Sequence, residues 1–260
     1  TTVPPTTTIA VDPEAADLDD TACVDSTPGA IGFRNETSNR PDELRAIGTS
    51  TQGRTIWAEH WGTHSGTQVL VLGQVHGDEC APAFMVRAIR EQPPADFGIW
   101  LVPTLNPDGL AANTRFTASG VDPNRDGFDL QTSEARALMT FTGEVRPALT
   151  AHLHSPYGWV GAHNGGIATR VAAALVRASG FGGPFNAGRV RRGTQAFLWE
   201  GQERVIPGHP SVLVEFPGLT PTEAPDAPKP EQRRVATPAE VDAAAAAMRD
   251  ALYATVAPAP

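Results

Sequence analysis

The sequence lacks several features that would assign it to common classes of protein. The chain of 260 residues contains no apolar run approaching the roughly 20 residues needed to span a bilayer. It also contains no Lys/Arg-rich run, and its formal net charge is −9 at pH 7. These absences predict no membrane span, and they argue against nucleic acid and anionic membrane surfaces as partners.

Cysteine is equally scarce. The two cysteines are Cys23 and Cys80, and the CxxC and Cys-His patterns typical of structural zinc sites are absent. Cysteines this far apart in an exported protein can form one disulfide, and two buried free thiols are the alternative. The chain begins TTVPPTTT, without Met or an apolar segment. We therefore expect a secreted or cell-envelope protein whose signal peptide has been removed, although a fragment boundary would produce the same start.

The composition is that of a globular protein, because hydrophobic residues make up 40% of the chain and charged residues 19%. The length suits one large α/β domain or two small ones. Residues 1–29 are rich in Thr, Pro, Asp and Ala without apolar periodicity, which predicts a tail or wrapping segment. We predict a single domain over residues 30–260, and we expect a monomer.

Short apolar runs alternate with longer amphipathic stretches. The predicted strands are Arg45–Gly48, Thr55–Trp61, Val69–Val75, Ile99–Leu105, Leu149–Leu153 and Val212–Val214. The predicted helices are Ala81–Ile89, Ser133–Val145, Ala168–Ala178 and Pro238–Thr255. The connections include a turn at Asn106–Gly109, a long loop at 110–130 and an irregular segment at 181–210. This order predicts an α/β fold with a mixed, mainly parallel central sheet and helices on both faces.

Three of the predicted strands end in side chains that can bind a metal. His76 and Glu79 follow the third strand, His152 and His154 lie at the end of the fifth, and Glu215 follows the sixth. In open α/β sheets, ligands bind at the carboxyl ends of the strands. Two His and one carboxylate are a ligand set of catalytic zinc, which keeps one position open for water. A lone HxxE also fits a surface turn with a salt-bridged Glu, so the hypothesis depends on all three strand ends.

The predicted long loop carries a second group of polar residues, namely Arg115, Asp122, Asn124 and Arg125. An Arg fork can hold a carboxylate through two parallel hydrogen bonds. A solvated Arg, or an Asn that caps a turn, is the alternative interpretation. The histidines in polar or Gly-rich surroundings are predicted to lie at the surface: His64, His163 and His209.

Together these motifs resemble those of a known family. HGDE, NPDGL, the Arg of NTRF, GVDPNR, HLHSPYG and VLVEFP follow one another between residues 40 and 217. They are similar to the successive motifs of the zinc carboxypeptidases typified by pancreatic carboxypeptidase A. The HGDE form is closer to that of the bacterial murein-peptide amidases and related carboxypeptidases. The resemblance implies a zinc carboxypeptidase-like catalytic domain that hydrolyses an amide bond near a free C-terminal carboxylate, in a peptide or a peptidoglycan fragment.

The resemblance also implies the metal ligands. One Zn²⁺ per chain would be bound by His76, Glu79 and His154. We favour His154 over His152 because the family's His ends a strand and precedes a small residue. Asp122 would accept a hydrogen bond from the far nitrogen of His76 and so orient its ring.

The remaining roles concern the substrate. Arg115 would polarise the scissile carbonyl and stabilise the oxyanion. Glu215 would act first as general base and then as general acid. Asn124 and Arg125 would hold the terminal carboxylate of the substrate. Two alternatives remain open. A deacylase of N-acyl amino acids would share the zinc ligands and the Asn-Arg pair, and a wall-binding module would keep the fold but have lost its activity.

The sequence departs from the digestive members of the family. Asp78 stands where those enzymes have an Arg, and Asp126 replaces an Asn that often follows Asn-Arg. The Tyr that covers their substrate has no counterpart near residues 193–194. Gln195 and Glu200 are predicted to line the pocket for the terminal side chain, and Glu203 is close enough in sequence to contribute to it. An acidic pocket would favour a basic or amine-bearing residue, such as Lys, Arg or diaminopimelate.

Overall fold

The computed structural model of the protein describes residues 39–188, 195–219, 223–225 and 228–257. Its strands are β1 Glu43–Thr49, β2 Thr55–Gly62, β3 Gln68–Gln74, β4 Gly98–Thr104, β5 Leu149–His154, β6 Tyr157–His163, β7 Gly182–Asn186 and β8 Ser211–Pro217. Its α-helices are α1 Pro82–Glu91, α2 Pro107–Ala112, α3 Ser133–Val145, α4 Ile167–Ser179, α5 Leu198–Val205 and α6 Pro238–Val256. The predicted N-terminal segment 1–29 and residues 193–194 lie outside the described ranges.

The eight strands of these ranges form one mixed sheet in the order β1-β2-β4-β3-β5-β8-β6-β7. The four central strands, β4, β3, β5 and β8, run parallel to one another. At one edge β1 and β2 form an antiparallel hairpin, and on the other side β6 runs antiparallel to β8. The predicted α/β fold with a mixed, mainly parallel sheet is therefore confirmed.

Helices cover both faces of the sheet. On one face, Phe84 of α1 and Leu252 of α6 belong to a buried cluster that includes Leu153 of β5. On the opposite face, Leu138 of α3 belongs to a cluster with Leu70 of β3. Because the central strands are buried from both sides, they carry nearly continuous apolar runs, which is why the sequence predicts them well.

Local sequence determines where several helices begin. Pro82 and Pro238 lie in the first turns of α1 and α6, where a missing N–H leaves no hydrogen bond unmade. Thr132 caps α3 by accepting a hydrogen bond from a first-turn amide at 3.1 Å. Asn106 caps α2 in the same way at 2.9 Å. The segment Asn106–Gly109, which the sequence predicts to be a turn, therefore begins a short helix.

The elements β6, β7 and α5 were not predicted from the sequence. The last two lie in the segment 181–210, which was predicted to be irregular. β7 is an exposed five-residue strand with the sequence GGPFN, and α5 has only eight residues. Elements this short offer only a few residues of pattern from which to predict them. They form here because neighbours support them: β6, for example, pairs with both β8 and β7.

Two histidines that were predicted to lie at the surface are buried. His163 and His209 are only 3% and 1% exposed. Nε2 of His163 lies 3.1 Å from a carboxylate oxygen of Glu203, and Nε2 of His209 lies 2.8 Å from the hydroxyl of Thr150. These partners come from other elements of the fold. The polar sequence around each His therefore led to the wrong prediction that His163 and His209 lie at the surface. His64 is exposed, as predicted.

Cys80 lies just before α1, where it is buried and disulfide-bonded. The alternative of a free thiol is therefore wrong for Cys80, and its predicted partner Cys23 lies outside the described residues. None of the helices in the described ranges has both the length and the apolar character required to cross a bilayer.

Candidate metal centre

The loop after β3 brings its backbone unusually close to α2. A Cβ atom on Gly77 would lie 1.9 Å from the carbonyl carbon of Gly109 and 2.1 Å from the amide nitrogen of Leu110. Only glycine permits this approach. The close packing holds the His76-Gly77-Asp78-Glu79 loop against the start of α2, and it fixes the direction in which His76 and Glu79 leave the sheet.

Three predicted metal ligands converge at the carboxyl ends of β3 and β5. One potential ligand atom from each of His76, Glu79 and His154 lies within 4.8 Å of the other two, and all three residues are buried. Nδ1 of His76 lies 2.7 Å from Oε1 of Glu79, and Nδ1 of His154 lies 2.9 Å from Oε2 of the same carboxylate. The two Nδ1 atoms and the carboxylate thus face one another.

Asp122 contacts the other side of the His76 ring. Its Oδ1 lies 3.0 Å from Nε2 of His76. This contact favours the tautomer in which Nε2 carries the proton and Nδ1 is free to bind a metal. The resemblance to the zinc carboxypeptidases implies an orienting contact between these two residues.

Neighbouring histidine and arginine side chains keep the carboxylates of Glu79 and Asp122 ionised. Burial opposes ionisation of Glu79, but the neighbouring His76 and His154 hold its pKa well below the usual range. Burial likewise opposes ionisation of Asp122, and its hydrogen bond to His76, together with the charge of Arg115, holds its pKa low. The centre therefore presents an anionic ligand between two imidazoles.

This donor set fits a zinc ion. Two imidazole nitrogens and one carboxylate match the ligands of catalytic zinc sites, and the second His is engaged by Asn124, whose amide nitrogen lies 3.4 Å from Nε2 of His154. Both Nδ1 atoms are left facing Glu79. The residues present would therefore hold a divalent metal without a change of ligand type.

His152 lies outside this donor set. It is fully buried on β5, two residues before His154, and its Nε2 lies 2.9 Å from the side-chain oxygen of Gln202. Burial and the neighbouring His154 lower the pKa of His152 to about 3. His152 is therefore a buried core residue whose side chain contacts Gln202 rather than the three candidate ligands.

Arg115 reaches into the centre from the loop after α2. Its Nε and Nη2 atoms each lie 2.9 Å from Oδ2 of Asp122, and its Nη1 lies 3.3 Å from Nδ1 of His76. Arg115 is 5% exposed. Its charge therefore lies beside the donor set, held in place by the carboxylate that also orients His76.

Asn124 and Arg125 lie in a short 3₁₀ helix, Pro123–Arg125, which Asp122 caps. The Arg125 guanidinium stacks on the ring of Phe197, 4.6 Å from the ring centroid, and donates a hydrogen bond to the Asn124 carbonyl at 2.8 Å. Both side chains therefore lie at one edge of the centre, and that edge carries a positive charge.

Glu215 lies on the strand next to His154. It is 9% exposed, and its Oε2 has no hydrogen-bond partner among the described residues. Burial raises the pKa of Glu215 well above its usual range, and the nearby charge of Glu79 raises it further. A buried carboxyl that readily holds a proton is suited to accept and return one.

The two residues predicted to line the side-chain pocket differ in their surroundings. Gln195 is exposed, whereas Glu200 is buried and its Oε2 accepts a hydrogen bond from the Phe197 amide at 3.0 Å. Glu200 thus caps α5, and Glu203 pairs with His163. Glu200 and Glu203 therefore use carboxylate oxygens for contacts within the protein that an acidic pocket would use to bind the substrate.

Asp126, for which the sequence offered no explanation, organises the approach to α3. It is fully buried, and its carboxylate accepts hydrogen bonds from the Gln131 amide at 2.9 Å and from the amide and hydroxyl of Thr132 at 2.8 Å. Asp78 is also buried, but its carboxylate differs from that of Asp126 in its hydrogen bonding. It is 2% exposed, and neither carboxylate oxygen has a donor among the described residues.

Comparison with solved structures identifies the fold. A metallo-carboxypeptidase from Burkholderia cenocepacia matches with a TM-score of 0.60 and 18% identity, over 82% of this chain and 64% of that one. A murein-tripeptide amidase from Escherichia coli O157 matches with a TM-score of 0.58 and 18% identity, over 80% of this chain and 92% of that one. A metallo-carboxypeptidase from Pseudomonas aeruginosa matches with a TM-score of 0.57 and 19% identity, over 81% and 64%. The chain therefore has the fold of the metallocarboxypeptidases and of this amidase.

Sequence comparison is more limited. Carboxypeptidase SOL1 of Arabidopsis thaliana is 27% identical over 139 residues, which are 43% of this chain and 28% of that protein. The chain thus spans less than two thirds of the length of this relative and of the Burkholderia structure. No family model matches the sequence.

Proposed function

We propose that the protein is a zinc-dependent hydrolase that cleaves an amide bond near a free C-terminal carboxylate. The observation that carries this proposal is the convergence of His76, Glu79 and His154 beside the buried carboxyl of Glu215, whose Oε2 has no hydrogen-bond partner among the described residues. The structural similarity to metallocarboxypeptidases and a murein-tripeptide amidase supports the same reaction type.

The metal would be held by Nδ1 of His76, the Glu79 carboxylate and Nδ1 of His154. A divalent metal in such a site supplies Lewis-acid chemistry, because it polarises a carbonyl and lowers the pKa of water. Asp122 holds the His76 ring in its binding orientation.

The protein's own groups perform the proton transfers. Glu215 takes a proton from the attacking water and later donates it to the departing amine, and its raised pKa favours holding the proton between the two steps. Arg115 stabilises negative charge that develops on the carbonyl oxygen, because its guanidinium is buried and already fixed by Asp122. Asn124 and Arg125 bind the terminal carboxylate through charge-assisted hydrogen bonds.

We propose a peptide or a peptidoglycan fragment as the substrate, and a monomeric protein that is exported or attached to the cell envelope. The disulfide at Cys80 supports an oxidising compartment. The preference for a basic or amine-bearing terminal residue remains a hypothesis, since Glu200 and Glu203 both have partners within the protein. Equal rates of hydrolysis for peptides ending in Lys, Leu and diaminopimelate would disprove an acidic pocket.

A hydrolysis panel tests the function. Purified protein is treated with a chelator, restored with zinc, and assayed on short peptides with free C-termini, on their C-terminal amides and on N-acyl amino acids. We expect hydrolysis of the free acids that is lost on chelation and restored by zinc. Faster hydrolysis of N-acyl amino acids would favour a deacylase instead. No turnover of any compound by the zinc-loaded protein would favour an inactive binding module.

A further inference from the structure

A buried carboxylate outside the predicted site connects the segments that carry its functional residues. Glu223 lies in the Pro-rich loop after β8 and is 8% exposed. Its Oε1 accepts hydrogen bonds from the Cys80 amide at 3.0 Å and the Ala81 amide at 3.4 Å, and from the Ser155 hydroxyl. Its Oε2 accepts one from the Leu219 amide at 2.6 Å.

The partners of Glu223 follow the functional residues in sequence. Cys80 comes directly after the ligand Glu79, and Ser155 comes directly after the ligand His154. Leu219 lies four residues after Glu215. One carboxylate therefore binds the chain at three places where it leaves the candidate site.

We propose that Glu223 is a positioning residue for the metal centre. This inference rests on the zinc site of the proposed function, and not on the hydrolysis. Hydrogen bonds from backbone amides to a buried carboxylate are charge-assisted and stronger than neutral ones. By fixing the peptide after Glu79 and the residue after His154, Glu223 holds two of the three ligands at the spacing that a metal requires. The same carboxylate anchors the loop after Glu215.

A glutamine at this position would not replace the carboxylate. The two oxygens of Glu223 both face donors, whereas a Gln side chain presents one acceptor and one NH₂ group. In Glu223→Gln, either the Leu219 amide or the group of donors at Cys80, Ala81 and Ser155 would face another donor. The geometry of the ligands should therefore relax even though the side chain keeps its size.

Metal affinity provides the direct test. The affinity of Glu223→Gln for Zn²⁺ is measured by competition with a chromophoric chelator, which needs no turnover. We expect a loss of roughly 10–100-fold, as is typical when a residue that supports metal ligands is removed. Ser155→Ala removes a single donor to Glu223 and should give a smaller loss in the same direction. With a cleavable substrate, kcat should fall more than KM rises.

Glu59→Gln is the matched control. Glu59 is also a fully buried carboxylate, but it lies on β2 and is bound by Trp61 and Arg90. This variant should lower the melting temperature without a change in zinc affinity. If Glu223→Gln and Ser155→Ala both bind zinc as the wild type does, Glu223 is only a structural residue and the inference is wrong. A wild type that binds zinc but hydrolyses nothing would refute the proposed function and leave this inference intact.

Discussion

Glu215 on β8 and His154 on β5 are register partners on neighbouring parallel strands. Paired residues on adjacent strands project to the same face of a sheet, so the candidate base and a candidate metal ligand emerge side by side. The strand pairing itself thus places the candidate proton acceptor beside the candidate metal centre.

Replacing Glu215 with Gln should abolish most of the turnover while leaving the metal in place. Gln keeps the size of the side chain but cannot accept and return a proton. We expect kcat to fall by roughly 10²–10⁴-fold, the usual contribution of general acid–base catalysis. Steady-state kinetics and metal analysis of the same preparation measure both effects. Glu240→Gln, at the exposed N-terminal end of α6, is the control. Near wild-type turnover in Glu215→Gln would contradict the assignment.

The two histidines of β5 should respond differently to substitution. His154→Ala should lose the ability to bind one equivalent of zinc, because it removes one of three ligands. His152→Gln should retain the metal, since His152 contacts Gln202 rather than the donor set. The substitution His152→Gln should instead lower the melting temperature. Zinc titration monitored by competition with a chelator distinguishes the two, and equal losses of zinc would show that His152 belongs to the centre.

Arg125 should matter only for substrates with a free carboxylate. A hydrogen bond to a charged group contributes about 1.5–3 kcal/mol, so Arg125→Gln should raise KM for free-acid peptides by roughly 10–100-fold. C-terminally amidated peptides, if cleaved at all, should be unaffected. Rate measurements on matched acid and amide pairs check this expectation. An equal effect on both members of a pair would remove Arg125 from the carboxylate site.

His209 should make the fold less stable in mild acid. Burial lowers its pKa from 6.5 to about 4. Between these values the unfolded chain binds a proton that the folded chain excludes, so stability is lost as the pH falls from 6.5 to 4. The loss from this residue is at most about 3 kcal/mol. Urea unfolding of metal-free protein across this range measures it, and His209→Gln should show a shallower dependence. Parallel curves for the two proteins would exclude His209 as the source.

The candidate site residues His76, Glu79, His154 and Glu215 could be picked out because each lies at or just after the end of a buried parallel strand. Continuous apolar runs in β3, β5 and β8 marked the strands, and a His or a carboxylate at the end of such a run stands out. The short loop Asp122–Arg125 could be assigned only through its resemblance to the family. Its geometry depends on contacts with His76 and Phe197, which lie in distant parts of the sequence.

Glu223 could not be predicted. It lies in a Pro-rich stretch without periodicity, and its hydrogen bond to Cys80 spans 143 residues. For Glu200 the sequence suggested a role in substrate binding, whereas the carboxylate is engaged within the protein. That carboxylate caps its own helix, which begins after Phe197 rather than after a recognisable Ser or Thr. In both cases the partner is a backbone amide, and any residue type can supply a backbone amide.

The contact between Glu79 and His154 joins positions 75 residues apart. A metal bound by both would act as a non-covalent cross-link that closes this length of chain only in the folded state. Metal binding and unfolding are therefore thermodynamically linked, and free zinc at 100 times its dissociation constant would add about 2.7 kcal/mol to the stability. Chelation should then lower the melting temperature of the whole sheet as well as stop catalysis.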